Sequence, residues 1–311
     1  MNVGITPFFR DNWSGFYFMY GMEKSEREGV KSPFHAYLME AIGLGGFVIV
    51  AGILLIFLEH PSLPVMRSSL SQHLALRRLI LGIGMGSYIT GASFLLSKRS
   101  GGHMNPSVTL AFLSLKKMQP GVALLYILAQ LTGAGCAALL LSKLAGGLFS
   151  HPLVDYNMHK PRPPHGEATA FVAEAIISFI TMFLVLATTS SKRYNKYGPL
   201  VTGSCVALFI TAELPFSGMS MNPARSFAAA LAANDWRYLW IYCTAPVLFM
   251  LLAAEVYAWW KEKRSLIWGD KKKKVPETDK DYREIPTYPV KKVSRAIGYF
   301  STSDNRLRRR S

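Results

Sequence analysis

The chain has 311 residues, half of them hydrophobic, and a formal net charge of +16. Its mean hydropathy is positive, too apolar for a disordered chain. The charge does not read as a nucleic-acid surface, because 16 of the 35 Lys and Arg residues lie between Lys261 and Arg310 and no zinc-finger or RNP-like motif accompanies them.

Residues 1–33 are mixed, aromatic and charged, and read as a tail without the features of a cleavable signal peptide. Apolar stretches long enough to cross a bilayer then recur at about 34–58, 79–96, 121–142, 168–190, 198–216 and 238–260. Glycines are frequent within them, as in Gly43, Gly45, Gly46, Gly82, Gly84 and Gly86, and small residues let membrane helices approach closely. Cys136, Cys205 and Cys243 lie in apolar stretches without metal-like or disulfide spacing, and read as buried small hydrophobes. Residues 261–311 form a basic tail with the runs KKKK at 271–274 and RLRRR at 306–310. Such a tail suits anionic lipid headgroups.

Lys and Arg also orient the spans. With both tails inside, the cytoplasmic side carries 27 of the 35 basic residues, including those of the 191–197 loop SKRYNKY.

Two short apolar segments lie outside the six spans. HMNPSVTLAFLSL (103–115) follows the second span, and MNPARSFAAALAA (221–233) follows the fifth. Three spans with an insert after the second, stated twice, define an inverted repeat of about 34–142 and 168–260, because three crossings reverse the second copy. Glu40 and Glu174 each open the first span of their copy, in EAIG and EAII. Asn is a strong N-cap and Pro suits the first helical position. Asn105 and Pro106, like Asn222 and Pro223, therefore start half-helices. Two such N-termini meeting at mid-membrane present positive dipole ends that repel cations and protons. Once the Asn oxygen caps the helix, its amide NH₂ is left to donate to a passing solute. Arg225 stands about 5 Å along the second half-helix from its cap. A membrane Arg there is costly and usually functional; it narrows the pore on the non-cytoplasmic side, the other reading being a side chain that snorkels to the interface.

SGGHMNPSVTLAF and GMSMNPARSFAAAL resemble the two signature loops of the aquaporins, the major intrinsic protein family. The resemblance covers about residues 34–260. It implies an all-α membrane protein with six transmembrane helices and two re-entrant half-helices, assembled as a homotetramer with one pore per subunit. The paired motifs fall on Asn105, Pro106 and Ser107, where Ser replaces the family's Ala, and on Asn222, Pro223 and Ala224. The family's four filter positions fall on Met85, Ile210, Met219 and Arg225. Water-selective members resemble an aromatic at the first and a His at the second, so this filter is more apolar and has lost a donor. Ser226, Ala230 and Tyr242 resemble the water branch, whereas Cys243 replaces its usual Trp. Glu40 and Glu174 match the buried glutamates that brace the re-entrant loops, with a proton relay as the other reading. His103 matches the family's loop His, either a satisfied buried group or a pH gate. Glu213 and Glu255 carry no assigned role.

The expected function is passive passage of water, excluding ions and protons, with a leak of small neutral solutes, no catalysis and no cofactor. A broader channel for glycerol, urea, ammonia or hydrogen peroxide is the alternative. A non-conducting junction or scaffold protein is the alternative of another class. The expected setting is a plasma or bacterial inner membrane, with both termini cytoplasmic.

Overall fold

The computed structural model describes residues 33–191 and 193–267. Most of the two tails, 1–33 and 261–311, lies outside them. The principal helices are α1 (Pro33–Glu59), α2 (Leu74–Ser100), α3 (Pro106–Ser114), α4 (Pro120–Ala145), α5 (Glu167–Thr189), α6 (Gly198–Ser217), α7 (Pro223–Ala233) and α8 (Leu239–Ile267). Among the described residues there is no strand. Six of these helices are long and apolar enough to cross a membrane, and α3 and α7 are not. Their outward faces carry large apolar side chains such as Ile83, Leu95, Leu208 and Leu248. Such surface is stable against lipid and unfavourable against water.

The second span is longer than the 79–96 read from hydropathy, because α2 begins at Leu74. The hydropathy window stops at Arg77 and Arg78. In the structure Arg77 is buried and neutralised: Nε and Nη2 each donate to a Glu59 carboxylate oxygen at 3.1 Å. A bidentate pair of this kind lets the helix continue past its charge. Cysteine placement also departs from the sequence reading. Cys205 is buried, but Cys136 and Cys243 face outward.

Glycine sets two of the tight helix contacts. α2 packs on α6, and a Cβ added to Gly86 would lie 2.5 Å from the Gly203 carbonyl oxygen. α1 packs on α4, where a Cβ on Gly133 would strike the Ala41 carbonyl. Each pair brings two backbones together at a distance any side chain would forbid.

The two halves are joined by residues 146–166. A short helix, Gly147–Ser150, leads into a turn where Asp155, Tyr156 and Asn157 all have φ between 51° and 58°. Lys160 pairs with Asp155 across this turn. The chain then runs inward against Gly218, whose φ is +87° and whose missing Cβ would sit 3.4 Å from His159 Cα. Gly218 thus serves both the left-handed end of α6 and the close approach of this segment.

Candidate functional site

The half-helices are built by their first residues. Asn105 is the N-cap of α3 and Asn222 of α7, each followed by Pro. Asn105 Oδ1 accepts from Ser107 N at 2.8 Å, and Asn222 Oδ1 accepts from Ala224 N at 3.1 Å. The amides do more than the sequence reading assigns them. Asn105 Nδ2 donates to Met221 O and Asn222 Nδ2 donates to Met104 O, both at 2.7 Å. Each amide therefore spends one of its two N–H groups on the opposite half-helix, and only the second is left for a solute. Ser107 is fully buried, and among the described residues its hydroxyl has no hydrogen-bond partner.

The segments leading into the caps are held by matching sets of bonds. Glu40 Oε1 accepts from Ser100 Oγ at 2.7 Å and from His103 N at 3.0 Å, and Oε2 accepts from Met104 N at 2.5 Å. In the second half Glu174 Oε1 accepts from Ser217 Oγ and Ser220 N, and Oε2 from Met221 N, all at 2.7 Å. The Tyr126 hydroxyl donates to Ser100 O at 2.7 Å, and the Tyr242 hydroxyl donates to Ser217 O at 2.5 Å. The N–H groups of His103, Met104, Ser220 and Met221 lie in non-helical segments, where no helix ladder satisfies them, and buried carboxylates are strong acceptors for such orphans. The first half has further contacts. Gln130 Nε2 also donates to Glu40 Oε2 at 2.8 Å. His103 bonds Thr109 Oγ1 at 3.1 Å and stacks on Phe112 at 4.8 Å.

A cavity of about 100 Å³ runs from Gly101 and Pro199 past Asn105 and Asn222 to Arg225 and Phe47. That is room for several waters. Ile89, Ser93 and Ser97 line it from α2, and Pro199, Thr202 and Val206 line it from α6. Met85 precedes Ile89 by four residues and Ile210 follows Val206 by four, so each continues its lining face one turn further. The cavity stops short of both, and of Met219; all three are buried in the apolar core. Two of the three are flexible thioethers.

Arg225 also lines the cavity. Its Nη1 donates to Ser220 O at 2.8 Å and lies 3.9 Å from Met219 Sδ. Its Nη2 donates to His159 Nε2 at 3.3 Å. The guanidinium carbon sits 4.4 Å from the centre of the Phe47 ring, within cation–π range. Because Arg only donates, His159 Nε2 must accept, which puts the ring proton on Nδ1, 3.1 Å from Ser226 Oγ. Burial first, then Arg225 and Arg162, hold this imidazole well below the usual histidine range. It is neutral beside the cation. Ser226 Oγ is also 2.6 Å from Ser220 Oγ.

Sequence reasoning missed His159, Phe47 and Tyr126. His159 sits in a loop with no periodicity, so nothing local marks it. Phe47 stands seven residues after Glu40, on the same helix face, and that spacing was a usable signal. Tyr126 was findable as the repeat counterpart of Tyr242. Glu213 is buried, and Glu255 faces outward. Among the described residues no group of three or more His, Cys, Asp or Glu is placed to hold a metal.

These features define an integral membrane protein of two inverted halves whose half-helices meet tip to tip around a narrow cavity. A family model described as major intrinsic protein matches residues 37–257, and the chain belongs to that family. It is 39% identical over 160 residues to a probable aquaporin TIP4-1 of Oryza sativa subsp. japonica, covering 51% of this chain and 61% of that protein. It is 35% identical to aquaporin NIP3-1 of Zea mays over 59% of this chain and 58% of that one. The chain thus spans about three-fifths of the length of these relatives. Among solved structures, the aquaglyceroporin from Plasmodium falciparum shares the fold, with a TM-score of 0.60 at 20% identity, over 73% of this chain and 96% of that one.

Proposed function

We propose that residues 34–260 form a passive channel that carries water and small neutral solutes and excludes ions and protons. The observation that carries this reading is the reciprocal pair of amide bonds, Asn105 to Met221 and Asn222 to Met104, at the wall of the cavity. It fixes two helix N-termini against one point. Together they present roughly one positive charge. At an effective dielectric of about 20, a cation 4 Å away meets about 4 kcal/mol of repulsion, and Arg225 adds to it. A neutral molecule meets none of this and finds the remaining amide N–H groups as donors.

Met85, Ile210, Met219 and Arg225 are the proposed filter, with Glu40, Glu174 and His103 holding the loops that carry the asparagines. The Met and Ile walls favour water less strongly than an aromatic and a His would. His159 returns an imidazole to the neighbourhood of Arg225, but its accepting nitrogen is already taken. Water with a leak of small neutral solutes is the reading these contacts support. The expected assembly is a homotetramer in a cell membrane with both termini cytoplasmic, and the basic tail 261–311 at anionic lipid. Osmotic swelling of proteoliposomes, with water and glycerol measured separately, tests the proposal. Water flow no faster than in empty vesicles overturns it.

A further inference from the structure

At the Arg225 end of the bundle most acidic side chains are already committed. Glu59 gives both carboxylate oxygens to Arg77, Asp155 pairs with Lys160, and Asp235 pairs with Arg237. Glu213 is buried, and Glu167 is exposed at the start of α5. Arg225 itself is held by Ser220 O and His159. Arg78 and Arg162 are different. Among the described residues the Nε of each is buried without a hydrogen-bond partner, and neither side chain forms an ion pair.

The fold brings these two cations to one place. A Cβ on Gly86 would meet Gly203, and one on Gly82 would meet Ala207 and Thr211. α2 and α6 therefore run antiparallel, and Arg78, one turn before Gly82, comes level with the last turns of α6. Arg162 is tied to that same end, its backbone N–H donating to Phe216 O at 3.3 Å. The two charges are near enough to repel each other, and Arg77 adds to the repulsion on Arg78. Glu59 attracts Arg78, but each of its oxygens already accepts from Arg77. Arg78 lies seven residues before Met85, on the same face of α2. Arg162 lies three residues after His159, which accepts from Arg225. The pair thus stands at the mouth beyond Arg225.

Two like charges drawn partly out of water, side by side and without acceptors, are unfavourable as they stand. An occupant that relieves them carries negative charge and several acceptor oxygens. A guanidinium fork binds such oxygens two at a time, so a tetrahedral oxyanion can serve both forks at once. A polyol supplies oxygens without the charge, and a cation is repelled.

We infer that Arg78 and Arg162 form a binding site for a phosphate-class oxyanion at the mouth of the conduit beyond Arg225. Free phosphate and the phosphate of a lipid headgroup present the same chemistry to the two forks. The site goes beyond the channel reading, because binding there does not depend on conduction.

The test is calorimetric titration of the full-length protein in a phosphate-free, uncharged detergent, at an ionic strength held constant with sodium chloride. Inorganic phosphate is the first probe and a short-chain phosphatidic acid the second, each against wild type and R78Q/R162Q. The basic tail 261–311 is the same in both proteins, so its own binding cancels in the comparison. Loss of the forks should weaken binding roughly ten- to hundredfold. An arginine-dependent affinity for inorganic phosphate supports a soluble ligand, and one for the lipid alone supports a headgroup. Equal affinities of the two proteins for both probes, or no binding of either probe by wild type, overturns the site. If R78Q/R162Q has a lower thermal midpoint, R78K and R162K take its place. Each keeps the charge and loses the fork, and each should bind more weakly than wild type; wild-type affinity in both overturns the site. No flux enters the readout, so failure here and failure of the swelling assay are separate results.

Discussion

The side-chain amide of Asn222 donates to the carbonyl oxygen of Met104 at 2.7 Å, joining the tip of one half-helix to the strand of chain that enters the other. Asn105 returns the bond to Met221. The two asparagines therefore cap their own helices with oxygen and clamp the opposite loop with nitrogen. The geometry of the mid-conduit depends on both.

Asn222→Asp keeps the capping oxygen and removes the clamp. A carboxylate then faces the Met104 carbonyl, acceptor against acceptor, and a negative charge stands where two positive helix ends meet. Stability should fall by about 1–3 kcal/mol, water permeability should drop, and a cation current should appear in planar bilayers. Unchanged water flow without any current would remove Asn222 from the conduit wall.

Glu174→Gln tests the brace. The carboxylate takes three hydrogen bonds from residues 217–221, and an amide nitrogen placed opposite a backbone N–H sets donor against donor. The expected loss is about 2–4 kcal/mol, read as a lower thermal midpoint in detergent. An unshifted midpoint would mean that the segment 217–221 is held by other contacts.

Ile210→His should restore a polar group one turn beyond Val206 and beside the constriction. One added hydrogen bond for water is worth about 1 kcal/mol, or roughly fivefold. The water-to-glycerol permeability ratio should rise by about that factor in the swelling assay. If the ratio does not move, Ile210 does not line the filter.

Phe47→Leu removes the ring from the face of Arg225 and opens space at the end of the cavity. Loss of a desolvated cation–π contact is worth about 2 kcal/mol, and the guanidinium gains freedom to move. Uptake of neutral solutes larger than water should increase relative to water. A lower ratio of solute to water would show that the ring holds the conduit open instead of narrowing it.

His159 carries a pH prediction. Its imidazole lies well below the usual range in the folded protein, so it stays neutral there, while in the unfolded chain it takes up a proton below about pH 6.5. The neutral group's contribution to stability is complete above that pH and is lost as pH falls, at about 1.4 kcal/mol per unit. The thermal midpoint of wild type should decline from pH 6.5 to 5.5 more steeply than that of His159→Gln. Parallel declines would show that the imidazole protonates in place.

Much of the architecture was legible because helices in lipid are specified locally. Length and hydropathy marked the six spans, and Asn-Pro marked the start of α3 and α7 through capping chemistry that needs only the next two residues. The duplicated pattern then required an inverted arrangement. The contacts around Arg225 obey no local rule. His159 arrives from a left-handed turn and a glycine-lined approach, and Phe47 comes from the first helix. The amide clamp joins residues 116 and 118 positions apart. Arg78 and Arg162 look in sequence like any arginines near the ends of membrane spans. Periodicity and caps depend on the chain's own neighbours, so the sequence by itself determined the helices and their ends. Which polar groups satisfy one another across the bundle, and which remain open to a solute, was decided only when packing brought distant segments within hydrogen-bond reach.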